Sequence, residues 1–328
     1  MASAFHVYFG PDAFDAPVTV GKIEPNDCFA ALREGFDDFV AMPTHPAFLG
    51  IFYAVAGIVI VALSSFGSAL HLVVPFAFGF ALLGPVFAVG LYELSRRREA
   101  GLQPSWRDAF AVLRSPALPS VVALGLFLLV VFGFWIGAAE LLYIRLYGPN
   151  PPAALMPFIV DVLTTSRGLA LIVLGGLIGF GFAALTLCVS IVSFPLMLDR
   201  DVGVVPAVVA SMRLARESPG PVALWGLIVA VALMLGSLPL FIGLAIVMPT
   251  LGHATWRLYR RAIARDPAHE VPIEGPGSAD VTKNPALRFV WIFLDLLEFL
   301  RLRKTDRSES NRPAQTGATT TRPDSNPP

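Results

Sequence analysis

The sequence predicts an all-α fold: a polytopic transmembrane helical bundle of six spanning helices plus cytoplasmic interfacial amphipathic helices. Three observations carry this prediction. Of 328 residues, 55% are hydrophobic and 15% charged, with a mean hydropathy of +0.68, whereas soluble domains carry about 25% charged residues. Long blocks lack Asp, Glu, Lys and Arg altogether: Pro46 to Leu70, Leu72 to Tyr92, Leu118 to Ala139, Gly168 to Leu198 and Pro221 to Leu251. Arginines then gather directly behind the second, fourth and fifth of these blocks. A spanning helix needs about 20 mostly apolar residues, and a central Arg or Asp would cost roughly 2.5 to 3.5 kcal/mol. The blocks avoid that cost.

Residues 1–24 read as an N-terminal extension. Their opening "MASAFHVYFGPDAFD" lacks a basic region leading into an apolar core, so no cleaved secretory signal is expected. The membrane domain is expected over 25–262. It starts with "EPNDCFAALREGFDDFV", in which Phe29, Leu32 and Phe36 recur at helical spacing, the pattern of an amphipathic helix in the interface. Spans follow at about 47–67 and 72–93. Behind the second lie Arg96, Arg97, Arg98, Arg107 and Arg114, which holds that segment in the cytoplasm, since short Lys/Arg-rich loops stay inside.

A second amphipathic segment, "QPSWRDAFAVLRS", repeats the spacing with Trp106, Phe110 and Leu113, and Ser105 with Asp108 forms a capping-box pattern. Spans at 118–140 and 168–197 enclose a stretch whose only basic residues are Arg145 and Arg167, which suits the outer face. Arg200, Arg213 and Arg216 return the chain to the inside, alongside a third amphipathic segment with Val208, Met212 and Ala215. The pattern reads as three tandem units, each an interfacial helix followed by two spans.

The fifth block is long and carries "GSLP" at Gly236 to Pro239. It reads as a hairpin of two spans, 221–237 and 240–257; the alternative is one long helix kinked at Pro239. Arg257, Arg260, Arg261 and Arg265 follow. An even number of crossings then puts both termini in the cytoplasm. Residues 263–284 read as a linker and 285–304 as an interfacial amphipathic helix, with Asp295 and Glu298 on a narrow polar stripe with Arg288 and Arg301. Residues 305–328 lack the apolar content to fold.

Composition and motifs exclude several classes. Lys plus Arg equals Asp plus Glu at 24 each, so nucleic acid is not an expected partner. Cys28 and Cys188 are too few and too far apart for a disulfide framework, redox pair or zinc site. His71 and His253 fall on opposite faces of the bundle, about 30 Å apart, and cannot share a metal or haem. No metal or other cofactor is expected. GxSxG, HExxH and GxxxxGK[ST] are absent.

Three helix ends meet at the predicted cytoplasmic face: "GLYELSRRR", "FPLMLDRD" and "PTLGHATWRLYRR". Glu93, Ser95, Arg96, Asp199, Arg200, His253, Trp256, Arg257 and Tyr259 are therefore expected in one polar cluster. It reads either as a site for a headgroup, phosphate or partner protein, with Arg as the planar anion binder, or as ion pairs of Glu93 and Asp199 with neighbouring arginines beside an interfacial Trp/Tyr belt. No catalytic residue is assigned. Glu93, facing Asp199 and His253, is the first place to look for function.

The segments "GFALLGPVFAVGLYELSRRREAG" from Gly79, "SIVSFPLMLDRDV" from Ser190, "LWGLIVA" from Leu224, "PTLGHATWRLYRR" from Pro249 and "GFDDFVAMPTHPAFLG" from Gly35 resemble a bacterial family of predicted integral membrane proteins, domain-of-unknown-function family 2189. The resemblance spans roughly residues 20 to 262. It implies a multi-pass protein of the bacterial inner (plasma) membrane with no established activity. The expected function is non-catalytic: a scaffold, assembly or regulatory partner, in contact with the lipid bilayer and with a membrane-protein partner or a second copy. The alternative is a transporter of a small molecule or lipid, using the cluster and Pro75, Pro85, Pro195, Pro239 and Pro249 as helix openers. A third reading, a lipid-modifying enzyme, would use Glu93, Asp199 or His253.

Overall fold

The structure, a computed structural model, describes residues 7, 9, 18–42, 70–72, 75, 76, 79, 81–152, 154–237 and 243–273. The predicted span at 47–67, most of 72–80, the breaker Pro239, and the linker from 274, helix 285–304 and tail lie outside the described residues. What is described is helical, with one isolated antiparallel bridge between Val20 and Ile263.

Helix α1, Pro25–Ala41, starts at a capping box formed by Glu24 and Asp27, with Pro25 at a position where its missing N–H costs nothing. Its buried stripe is Cys28, Ala31, Gly35 and Asp38, while Phe29 and Phe36 point outward. The predicted aromatic stripe is thus the exposed face. The opposite, small-residue face packs along the last helix.

The end of the predicted 72–93 span is α2, Gly84–Phe87, followed across Ala88 by α3, Val89–Glu99. Gly101, at φ +79°, closes α3 by accepting the left-handed conformation that lets Leu102 N–H reach the Arg97 carbonyl. The second amphipathic segment forms a 3-10 helix, Trp106–Arg114, with the expected Ser105–Asp108 capping box present. It packs on α3, where Gly90 lies against Ala109.

Helices α4, Leu118–Tyr147, α5, Leu155–Thr164, and α6, Ser166–Ser190, follow. Then come α7, Ser193–Asp199, α8, Val204–Glu217, α9, Pro219–Ser237, and α10, Leu244–Ala262. Among the described residues, three helical runs are long and apolar enough to cross a membrane: Leu118–Tyr147, Ser166–Asp199 and Pro219–Ser237. They are inside-out by soluble standards. Phe180 in α6 is 74% exposed, and many large apolar residues along α4, α6 and α9, among them Phe134, Leu177 and Leu227, are exposed as well; such a surface is stable only where lipid replaces water.

The Ser166–Asp199 run is interrupted at Ile191 and Val192. Pro195 removes the bond its N–H would give the Ile191 carbonyl. Beside the break the Ser193 hydroxyl lies 2.5 Å from the Val189 carbonyl and 3.1 Å from the Ala207 carbonyl, which ties the start of α7 to α8. Proline here kinks a packed helix, since all of α7 is buried.

Gly133 with Gly137, and Gly175 with Gly179, have the small-xxx-small spacing of close-approach faces, and the structure uses them unequally. Gly133 and Gly137 meet nothing within 4 Å of a notional Cβ, whereas Gly179 would meet the Trp135 ring at 3.0 Å. Contact between α4 and α6 therefore rests on an indole seated over Gly179. At the turn after α9, Gly243 lies against the Gly236 carbonyl at 2.8 Å from a notional Cβ, so α9 and α10 are separate helices that touch at their adjoining ends.

Candidate functional site

The core of the described chain forms where α1, α3, α7 and α10 meet, and it is unusually rich in charge. Helix α10 supplies the axis. Its run Thr250–Ala262 is buried by α1, α3 and α7, although it carries His253, Arg257, Arg260 and Arg261. Each of those side chains meets a partner.

The first network centres on Asp38 of α1. Its carboxylate accepts from Arg257 through Nε at 2.9 Å and Nη2 at 2.7 Å, from Arg98 at 2.5 Å, and from the Ser95 hydroxyl at 2.9 Å. Ser95 Oγ also lies 2.7 Å from His253 Nδ1. The order is Asp–Ser–His, with serine between the other two. A nucleophilic triad instead needs the imidazole between the carboxylate and the hydroxyl. Ser95 and His253 are completely buried.

The second network centres on Asp199, the last residue of α7. Arg260 grips it bidentately at 2.7 and 3.0 Å, the Tyr259 hydroxyl donates at 2.6 Å, and Arg96 Nε stands 3.7 Å away. Burial and the Asp199 charge push the Tyr259 phenol well above its ordinary value. It remains a protonated donor. Arg260 continues to Glu99 at 2.9 Å and lies over the Trp256 ring at 4.7 Å, while Trp256 Nε1 donates to the same Glu99 oxygen at 2.9 Å.

Glu93 accepts from Arg96 at 3.1 Å and Arg97 at 2.7 Å, and Arg97 reaches on to Asp108 at 3.2 Å. The predicted facing of Glu93 with Asp199 and His253 is thus replaced by arginine partners from its own helix, which sit one turn away. Arg96 relays Glu93 to Asp199. Arg200 points elsewhere: its Nη2 donates to the Ala264 carbonyl at 2.5 Å, and its Nη1 lies 3.9 Å from Asp266. The nine predicted residues therefore divide into the Ser95–His253–Arg257 group on Asp38, the Glu93–Arg96–Trp256–Tyr259 group around Asp199, and Arg200 on the segment beyond α10. Asp38, Arg97, Arg98, Glu99, Asp108 and Arg260 complete the two networks and were not among the nine predicted residues.

That segment, residues 263–273, folds back as a strap. Val271 N–H donates to the Asp199 carbonyl at 2.7 Å, Arg96 donates to the Val271 carbonyl, and Glu270 accepts from Arg265 at 2.8 Å with Arg260 at 3.6 Å. Under it lies a cavity of about 320 Å³, lined by Arg96, Glu99, Arg260, Arg265, Glu270 and Pro272 among others. The Arg265 guanidinium holds the Glu270 carboxyl below its ordinary value. A depressed carboxylate stabilises the fold above its unfolded pKa, and that contribution disappears as pH falls through the folded value. Acidification through and below the carboxylate range is therefore expected to free the strap, read as faster amide exchange at 264–273 before exchange rises in α10.

Away from this core, His71 Nε2 lies 2.5 Å from Glu140 of α4 and stacks on Tyr143 at 3.9 Å. Among the described residues, no group of three His, Cys, Asp or Glu side chains is arranged to hold a metal ion.

A family described as "Predicted integral membrane protein (DUF2189)" matches residues 73–199. The resemblance read from the sequence thus holds over residues 73–199, and the protein is an integral membrane protein with long apolar helices. The matched stretch contains Glu93, Ser95, Arg96, Arg97, Arg98, Glu99, Asp108 and Asp199, whereas Asp38 and the α10 partners lie outside it. The segments around Gly35, Leu224 and Pro249 lie outside it. No curated protein and no solved structure matches the chain.

Proposed function

We propose that the protein is non-catalytic, a scaffold, assembly or regulatory partner in the bacterial inner membrane, and that its paired core is a rigid cytoplasmic platform on which a membrane partner assembles. The observation that carries this reading is saturation. Asp38 is held by two arginines and a serine, Glu93 by two arginines, and Asp199 by Arg260, Tyr259 and Arg96. A general acid or base needs an open, titratable group in reach of substrate. These carboxylates instead serve as counter-ions that lock four helices together.

Six spans with both termini inside remain the topology we favour. The His71–Glu140 pair supports it, because that arrangement puts the loop after the first span and the end of α4 on the same, outer side. The interruption at Ile191 and Val192 is the one observation that favours the transporter reading, as broken helices line substrate sites. The burial of α7 and the Ser193 tie to the Ala207 carbonyl of α8 weigh toward a packing kink.

The test separates structural from chemical roles. Glu93→Gln and His253→Ala are expected to lower the amount of folded protein in the membrane, since each breaks a buried polar pairing worth roughly 1 to 5 kcal/mol when one partner is removed. Mild-detergent co-purification with mass spectrometry should return a stoichiometric membrane protein, retained by whatever fraction stays folded. A variant present at wild-type level that loses turnover of a lipid or small molecule would overturn the reading. A reporter fused near Leu238 should read outside.

A further inference from the structure

Helix α5 sits in the connection between two candidate spans, and its two faces are unlike. Phe158, Asp161 and Val162 turn toward the protein, and Phe158 packs edge-on against Tyr143 and Tyr147 of α4. Met156, Ile159, Val160 and Leu163 recur at helical spacing on the other face and are exposed, Met156 by 68% and Leu163 by 70%. A surface helix of a soluble protein would carry polar residues there.

The helix is fixed in place. Asp161 accepts from Arg167 at 2.7 and 3.1 Å, and Arg167 lies over the Tyr147 ring at 4.8 Å. Thr165 caps α6 by accepting from Gly168 N–H at 3.1 Å, and its hydroxyl donates to the Asp161 carbonyl at 2.8 Å. Gly168 approaches Val162 so closely that a Cβ would fall 2.2 Å from its carbonyl oxygen. The corner between α5 and α6 therefore has one geometry.

We propose that α5 is an interfacial helix of the outer leaflet, embedding Met156, Ile159, Val160 and Leu163 in lipid while the Asp161–Arg167 pair and the stacked tyrosines set its depth. The occupant of this face is the bilayer itself. Its apolar face continues the exposed apolar surface of the helices it joins, Leu141 and Ile144 near the end of α4 and Leu169, Ile172 and Val173 at the start of α6. Tyr143, which is buried, and Tyr147 lie against Phe158 and pin α5 to the end of α4. An amphipathic segment with one wholly apolar face lies in the plane of the membrane boundary. Only the naming of the leaflet rests on the topology proposed above.

The test uses the full chain with Cys28→Ala and Cys188→Ala, reconstituted in phosphatidylethanolamine and phosphatidylglycerol vesicles. Bimane is attached at Leu163→Cys or, in the exposed loop, at Pro151→Cys. The Leu163 label should emit to the blue of the Pro151 label and be quenched roughly twofold more by lipids with a nitroxide high on the acyl chain than by aqueous iodide. Iodide quenching equal to that at Pro151 would place the face in water and overturn the proposal. Shielding from both quenchers, with crosslinking between Leu163→Cys chains, would give the face to a second copy and also overturn it. An impermeant maleimide applied to intact cells carrying Pro151→Cys tests the leaflet separately, so a failure of topology is distinguishable from a failure of immersion.

Discussion

Asp199→Ala is expected to remove most of the folded protein. The carboxylate is fully buried and neutralises Arg260, which is itself largely buried, while accepting the Tyr259 hydroxyl. Truncation leaves a guanidinium and a phenol facing a hole, and breaking such a buried pair costs about 3 to 5 kcal/mol. Against a total stability of roughly 5 to 15 kcal/mol that is a large share. Asp199→Asn keeps a hydrogen-bond acceptor for Tyr259 but not the charge, so it should fall between Ala and wild type. The control is Asp161→Asn, whose partner Arg167 is 55% exposed in side chain; an exposed ion pair contributes less than about 1 kcal/mol. Thermal unfolding in detergent, followed by loss of the monodisperse fluorescence-detected peak, ranks the three. Equal melting of Asp199→Ala and Asp161→Asn would show that the Asp199 network does not hold the core.

The same burial explains which parts of the molecule were legible in the sequence. Spans α4, α6 and α9 stand out because lipid-facing helices need no polar residues, and charge-free runs are visible without knowing any partner. Their ends are less visible. Helix α4 runs on to Tyr147, past Glu140, because His71 pairs with that carboxylate, and the helix ends only where Gly148 adopts φ +89°. The break inside the Ser166–Asp199 run comes from Pro195, whose effect depends on the neighbours that absorb it.

For the site, residues next to the charge-free blocks could be gathered by topology, which brought Glu93, Asp199 and the α10 residues to one end of the bundle. Asp38 could not. Its partner Arg257 is 219 positions away, and the α1 sequence advertises its aromatic stripe, which faces outward, ahead of the small-residue stripe that packs. Glu99 and Arg260 were passed over because a charge in a run of charges looks solvated until its pairing is known. Helix α10 shows the limit most clearly. In sequence it is the second arm of a hairpin, whereas in the structure its arginine-bearing half is buried by protein and satisfied by acids from α1, α3 and α7.

Gly35→Leu is expected to separate α1 from α10 and expose the Asp38 network. A Cβ at position 35 would lie 2.4 Å from Ala254 N and 2.6 Å from Ala254 Cα, distances that no rotamer change relieves because the obstacle is backbone. The helices must move apart, and the contact they lose is the most extensive in the core, carrying Cys28, Ala31 and Asp38 on one side. Overpacking typically costs 1 to 3 kcal/mol, and here the displacement also pulls Asp38 from Arg257, so a loss of roughly 4 kcal/mol or more is expected once the buried pair is broken. Even Gly35→Ala should be strongly destabilising. Gly133→Ala in α4, where a Cβ meets nothing within 4 Å, should be neutral or slightly stabilising, because Ala is the better helix former by about 1 kcal/mol. If melting of the two alanine variants is indistinguishable, the α1–α10 contact is not the close helix pair described. If only Gly35→Ala unfolds early, and amide exchange rises first in α1 and around Ser95, then the small-residue face of α1 is what holds Asp38 in register with α10.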